Sequence, residues 1–207
     1  MVKKNSRNYP KKIQKRRCNK QRKGKKRRPI AKDLAISLGL TLMICGLIAQ
    51  LLFSFPKVQG YGMNPQLTNR DWLVVYKYGR LRRFSMVYLA VPNRKNEYMI
   101  RRIIGLPGEE ISYKNDQLTV NGEEIEERFL YDQVRQAKQE EHLFTEDFTS
   151  RQLSTEKTAR IPAGKYLVLG DNRPYASDSR YYGYVDEKDI VGIVKMRLLP
   201  LHEVTGF

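Results

Sequence analysis

Between Leu34 and Phe55 the chain runs for 22 residues, LAISLGLTLMICGLIAQLLFSF, without a charge and with Gln50 as its one strongly polar side chain. As a helix rising 1.5 Å per residue, this run would be roughly 33 Å long, enough to cross a hydrocarbon core of about 30 Å. Pro56 cannot continue a helix and is expected to end it. The sequence therefore predicts a transmembrane helix over 33–56. A cleaved secretory signal is the competing reading. Its apolar core usually runs only about 7–15 residues, and residues 54–60, SFPKVQG, offer no good small-x-small cleavage site.

Charge is distributed around this run in one direction. Of the 39 Lys and Arg, 16 fall in residues 1–32, where no acid occurs; the other 23 face 22 Asp and Glu. The net charge of +17 thus belongs to a tail, and the remainder is close to neutral. A block of like charge repels itself and buries little apolar surface, so the tail, 1–32, is expected to be disordered. By the positive-inside rule it stays in the cytoplasm, which makes a single-pass protein of the cell membrane with residues 57–207 extracellular. A basic arm can also bind nucleic acid. With Tyr9 as its one aromatic and a membrane span beside it, attraction to membrane lipid explains it more cheaply, and no nucleic-acid partner is expected.

Cys18 lies in the tail and Cys45 in the span, so residues 57–207 can form no disulfide and no cysteine-based metal site. His142 and His202 have no ligand spacing between them, and no metal or cofactor is predicted. Beyond the span the pattern turns strand-like. Segments 72–77, 84–91, 98–104, 165–169 and 189–197 are rich in β-branched and aromatic residues. Asn121-Gly122 between 116–120 and 123–125 is a strong hairpin signal. Residues 128–160 are more polar, helix-prone from Leu130 to His142, and read as an inserted cap, poorly ordered in parts. The expected architecture is mainly β, an antiparallel domain with a small inserted cap, preceded by one transmembrane helix.

Three segments carry a specific resemblance. Residues 58–67, VQGYGMNPQL, resemble V-x-G-x-S-M-x-P-T-L, the nucleophile segment of type I signal peptidases. Residues 98–109, YMIRRIIGLPGE, resemble that family's base segment, Y-x-x-K-R-x-I-G-L-P-G-D. Residues 170–180, GDNRPYASDSR, resemble its C-terminal box, G-D-N-R-x-x-S-x-D-S-R. The likeness extends over about 30–200. It implies an antiparallel β-domain beside the membrane, and a serine hydroxyl that attacks a preprotein carbonyl while a neutral lysine takes the proton.

Both reactive side chains depart from that pattern. The serine position holds Gly62, the lysine position Arg101, and the supporting serine of the third box is Ala176. Gln66 stands where the first box has threonine. Glycine has no nucleophile, and a guanidinium keeps its proton in proteins. A substitute built from Tyr61, Ser85 or Lys95 would need a nucleophile and a base within about 2.6–3.2 Å of each other. The expectation is a catalytically degenerate homologue, with an active peptidase of atypical site as the alternative. In the family an extended peptide lies along strand edges; the walls here would be Gly60, Tyr61, Gly62, Met63, Asn64 and Pro65 on one side and Tyr98, Met99, Ile100 and Arg101 on the other. Gly105, Pro107 and Gly108 are expected to form a rigid turn, and Gly170, Asp171 and Asn172 the start of a loop. Asp171, Arg173, Asp178 and Arg180 are expected to pair with one another and fix that loop. The dyad-less subgroup of Gram-positive pilus gene clusters implies a chaperone-like role in pilus assembly, with a pilin or other secreted protein, and a sortase, as partners. Nothing in the sequence fixes the oligomeric state.

Overall fold

A computed structural model describes residues 30–92, 94–153, 158–200 and 204–207. The disorder expected of the tail falls outside these residues as far as position 29. The chain divides into two compact units, one ending at Ile44 and the other beginning at Cys45.

The first helix, α1 (Ile30–Leu52), starts and stops earlier than the sequence suggested. At its start, Asp33 sits in the first turn, where its carboxylate offsets the exposed N–H groups. At its end the sheet, not Pro56, takes over. Phe53 and Ser54 form a short strand, β1, opposite Tyr76 and Val75. The Leu52 carbonyl accepts from the Lys77 N–H, and the Gln50 carbonyl from Lys77 Nζ. From Lys32 to Leu52 the helix is long and apolar enough to cross a membrane, and its most apolar stretch is not buried within the protein. The core helix of a soluble domain would be buried.

The second unit is mainly antiparallel β. In chain order its strands are β1 (Phe53–Ser54), β2 (Trp72–Tyr76), β3 (Met86–Ala90), β4 (Tyr98–Gly105), β5 (Ile111–Lys114), β6 (Gln117–Val120) and β7 (Glu123–Ile125). Helix α2 (Tyr131–Gln139), β8 (Phe148–Thr149) and α3 (Ser150–Leu153) follow. The chain closes with β9 (Lys165–Leu169), α4 (Ser179–Tyr182), β10 (Val185–Asp186), β11 (Ile190–Leu199) and β12 (Thr205–Gly206). The larger sheet runs β1-β2-β11-β3-β4-β9-β10, with β12 on β11; the smaller runs β7-β6-β5-β8.

Strand β4 is buried from Ile100 to Gly105 on both faces. Alternation sends Ile100 toward Val58, Met63, Leu67, Val75 and Met86, and Ile104 toward Ile111, Tyr113 and Leu118 of the smaller sheet. Ile103 faces the opposite way, onto Val87, Leu89 and Val168. One face of the large sheet is therefore covered by the 58–67 loop and the small sheet together.

Two expectations need correction here. The cap is more than 128–160: β5, β6 and β7 leave the main sheet and build the smaller one, which β8 completes. Period-two patterning shows that a segment is a strand, not which sheet it joins. Within 128–153 lie α2, β8 and α3, with turns and bends over 140–147; 154–157 lie outside the described residues. The hairpin at Asn121-Gly122 forms as expected, both residues having positive φ (52° and 88°). Gly108 turns with φ 84° at the end of the 105–108 segment. Gly105 is instead the last residue of β4, where a Cβ would drive into Ile161 and Ile111.

Candidate functional site at the junction of three loops

The 58–67 segment is a loop held at both ends. Val58 N–H donates to the Asp71 carbonyl at 2.8 Å and Arg70 N–H to the Val58 carbonyl at 3.0 Å. Asp71 is buried and accepts from the Thr68 N–H, the Thr68 hydroxyl and Arg197. Val58, Met63 and Leu67 point into the core, which leaves Gly60 (φ 84°), Tyr61 and Pro65 exposed and Gly62 and Asn64 half-buried. Met63 and Ile100 thus serve as core, while Met99, half-buried, packs on the opposite cluster.

The C-terminal box clamps this loop. Asn172 N–H donates to the Gly62 carbonyl and Asn172 Nδ2 to the Tyr61 carbonyl, both at 3.1 Å. Gly170 lies so near that a Cβ there would meet both Ala176 and the Gly62 carbonyl. The third wall is β4, and its pairing is uneven. Tyr98 to Arg102 pair with β3, but pairing with β9 begins only at Arg102. Residues 98–101 therefore keep one strand edge that neither β3 nor β9 covers.

Arg101 lies where these walls meet. A Cβ placed on Gly62 would stand 2.9 Å from Arg101 Nη1 and 3.1 Å from Cζ, so the guanidinium occupies the space a side chain at 62 would need. Arg101 is buried, with Nε and Nη2 donating to the Ser177 carbonyl (2.9 and 2.6 Å) and Nη1 to the Ile100 carbonyl (2.6 Å). Burial lowers the guanidinium from its ordinary value, while Tyr182 and Asp178 nearby favour the charge. The Tyr182 phenol, pushed up by its own burial, donates to Met99 Sδ at 3.4 Å. The junction offers donors, a carbonyl-bound cation and an un-ionised phenol. Neither Gly62 nor Arg101 can attack a carbonyl or accept a proton.

Around this junction the charged residues pair differently from the expectation. Asp178 and Arg180 do pair: Arg180 Nε and Nη2 donate to the Asp178 carboxylate, which also accepts from the Gly170 and Arg180 N–H groups. Asp171 instead takes both oxygens to Arg102 of β4, whose guanidinium also lies 4.0 Å over the Phe129 ring. Arg173, fully buried, reaches into the small sheet, donating to Glu127, Tyr113 and Thr145. Burial alone would lower its guanidinium, but Tyr113 and Glu127 more than reverse this and the net shift is upward. Arg102 and Glu127 carry no local signal, since their partners lie 69 and 46 residues away. Ser177 acts through a backbone carbonyl, which no side-chain pattern reveals.

Tyr61, Ser85 and Lys95 are not gathered into a substitute pair. Tyr61 is exposed on the loop, Ser85 sits at the foot of β3 with its carbonyl bonded to the Ile103 N–H, and Lys95 is exposed between β3 and β4. No hydrogen bond among the described residues joins Ser85 or Lys95 to Gly62 or Arg101.

Comparison with known proteins accords with this arrangement. The profile of the family described as signal peptidase, peptidase S26, matches residues 31–199. Signal peptidase I V of Bacillus subtilis is 41% identical over 142 residues, 67% of this chain and 81% of that protein. Signal peptidase IB of Staphylococcus aureus is 35% identical over 174 residues, covering 81% and 89%. A crystal structure of a signal peptidase I from Enterococcus faecalis V583 superposes with a TM-score of 0.52 at 35% identity, over 56% of this chain and 97% of that one. By sequence and fold alike, the chain belongs to the signal peptidase family, peptidase S26.

Proposed function

We propose that this chain is a non-catalytic signal-peptidase homologue, anchored by α1 in the cell membrane with residues 57–207 outside, that holds a secreted client instead of cutting it. Following the resemblance to dyad-less proteins of Gram-positive pilus clusters, the client would be a pilin on its way to assembly. One observation carries the reading: the guanidinium of Arg101, bonded to the Ser177 and Ile100 carbonyls, fills the space beside Gly62 where the family keeps a serine and a neutral lysine. The edge of β4 at 98–101 that neither β3 nor β9 pairs supports peptide capture by strand addition, since backbone hydrogen bonds need no nucleophile.

The second reading is an active preprotein peptidase, favoured by relatives that bear the name signal peptidase I. Incubating the full chain in detergent micelles with a secretory preprotein separates the two. No mature product is expected from the parent, and none from Gly62→Ser or Arg101→Lys alone, because nucleophile and base act as a unit. The double variant is expected to give trace cleavage. Turnover by the parent above a buffer blank overturns the non-catalytic reading.

A further inference from the structure

A cavity of about 420 Å³ is lined by Tyr76, Tyr78, Arg80, Arg82, Ser85 and Lys195 among others, and not by Gly62 or Arg101. Its lining contains three cations and no acid. Arg80, Arg82 and Lys195 are exposed, and none forms a salt bridge among the described residues. The Tyr76 and Tyr78 rings meet edge-on with centroids 6.3 Å apart. Uncompensated cations around a concavity repel one another, and an anion between them relieves that repulsion. Arginine forks match the paired oxygens of a phosphate, and tyrosine and serine hydroxyls can add further donors.

The position narrows the source of such an anion. Tyr76, on the cavity wall, stands directly opposite Phe53, which follows the last residue of α1. Their rings lie 5.5 Å apart, and Phe55 and Trp72 are exposed close by in the chain. Aromatic side chains gather at the level of lipid headgroups, where the ring is half in hydrocarbon and its polar end is wet. The chemistry recognised is a phosphate, and a cavity beside the end of an apolar span meets phosphates on lipids.

We propose that this cavity seats the phosphate of an anionic phospholipid headgroup. This rests on the reading of α1 as a membrane anchor. Each arginine or lysine near the surface adds to the attraction for anionic lipid, so three together make the site selective for it over zwitterionic lipid.

The test uses the full chain in detergent, titrated separately with phosphatidylglycerol, phosphatidylcholine and inorganic phosphate, with bound lipid counted by native mass spectrometry. Three proteins are compared: the parent, the triple variant Arg80→Gln, Arg82→Gln, Lys195→Gln, and a control of equal charge, Lys95→Gln, Lys114→Gln, Lys188→Gln. The basic tail, common to all three, cancels. Parent and control should show the same preference for phosphatidylglycerol over phosphatidylcholine, and the cavity variant should show it reduced about tenfold or more, the remainder being the tail's, with its circular dichroism and melting unchanged. Equal retention by the two triple variants overturns the proposal, as does the absence of any preference in the parent. Displacement of the lipid by inorganic phosphate overturns the lipid assignment in favour of a soluble anion. Fractionation of cells keeps the underlying reading separate: a chain found in the soluble fraction fails as an anchored protein, whereas a membrane-bound chain with equal retention fails only at the cavity.

Discussion

At position 62 the absence of one carbon decides what the site can hold. A Cβ there would lie 2.9 Å from Arg101 Nη1, tighter than side chains tolerate without movement, so Gly62 and Arg101 are fitted to each other. Gly62→Ser should push the guanidinium off the Ser177 carbonyl. Losing one or two hydrogen bonds at about 0.5–1.5 kcal/mol each lowers stability by roughly 0.5–3 kcal/mol, readable as a shift in the urea midpoint. Adding Arg101→Lys should recover most of that loss, and a Gly62→Ser protein as stable as its parent would show that the pair is not coupled. Gly62→Trp should abolish client co-purification, because the indole would displace a peptide backbone from the loop. At this scale the sequence was legible only through resemblance. It identified the substituted positions, but not that Arg101 would turn onto a backbone carbonyl 76 residues away.

Strands declared themselves in the sequence because β-branched residues at period two have one good use, a pleated half-buried surface; β2, β3, β4, β9 and β11 all form where that pattern runs. What ties them together was hidden. Arg102 with Asp171 and Arg173 with Glu127 join elements distant in sequence, and a charged residue in a strand looks the same whether its partner is solvent or a buried carboxylate. The second pair joins the C-terminal box to the segment that follows β7. Glu127→Ala would leave the fully buried Arg173 without its carboxylate, and removing one partner of such a pair costs about 3–5 kcal/mol. Replacing both by leucine should cost less than the single change, since no charge is then stranded. Urea unfolding of the three proteins checks the ordering. If Glu127→Ala unfolds at the parent's midpoint, the Gly170 carbonyl, Tyr113 and Thr145 hold Arg173 without the carboxylate.

For the whole molecule, alkali is the informative direction. Burial pushes both the Tyr113 and Tyr182 phenols up, Tyr113 well above its ordinary value. An unfolded tyrosine ionises near about pH 10. Above that, the unfolded chain sheds protons the folded chain retains, so stability is fully present below about pH 10 and falls as pH rises toward the folded values. Tyr182→Phe should flatten the fall while losing little at neutral pH, as urea midpoints at about pH 8 and pH 11 would show. An equal slope in parent and variant would contradict this. Topology is tested in intact protoplasts, where added protease should digest residues 57–207 and spare the basic tail. A further consequence follows from the junction at Leu52 and Phe53, where helix passes into sheet with no spacer residue. A tether of that kind has no slack. If the proposed client pulls on the second unit, the load would pass to α1 through β1, which its two residue pairs with β2 hold in the sheet. The Lys77 bonds to the Leu52 and Gln50 carbonyls would share that load with the two pairs.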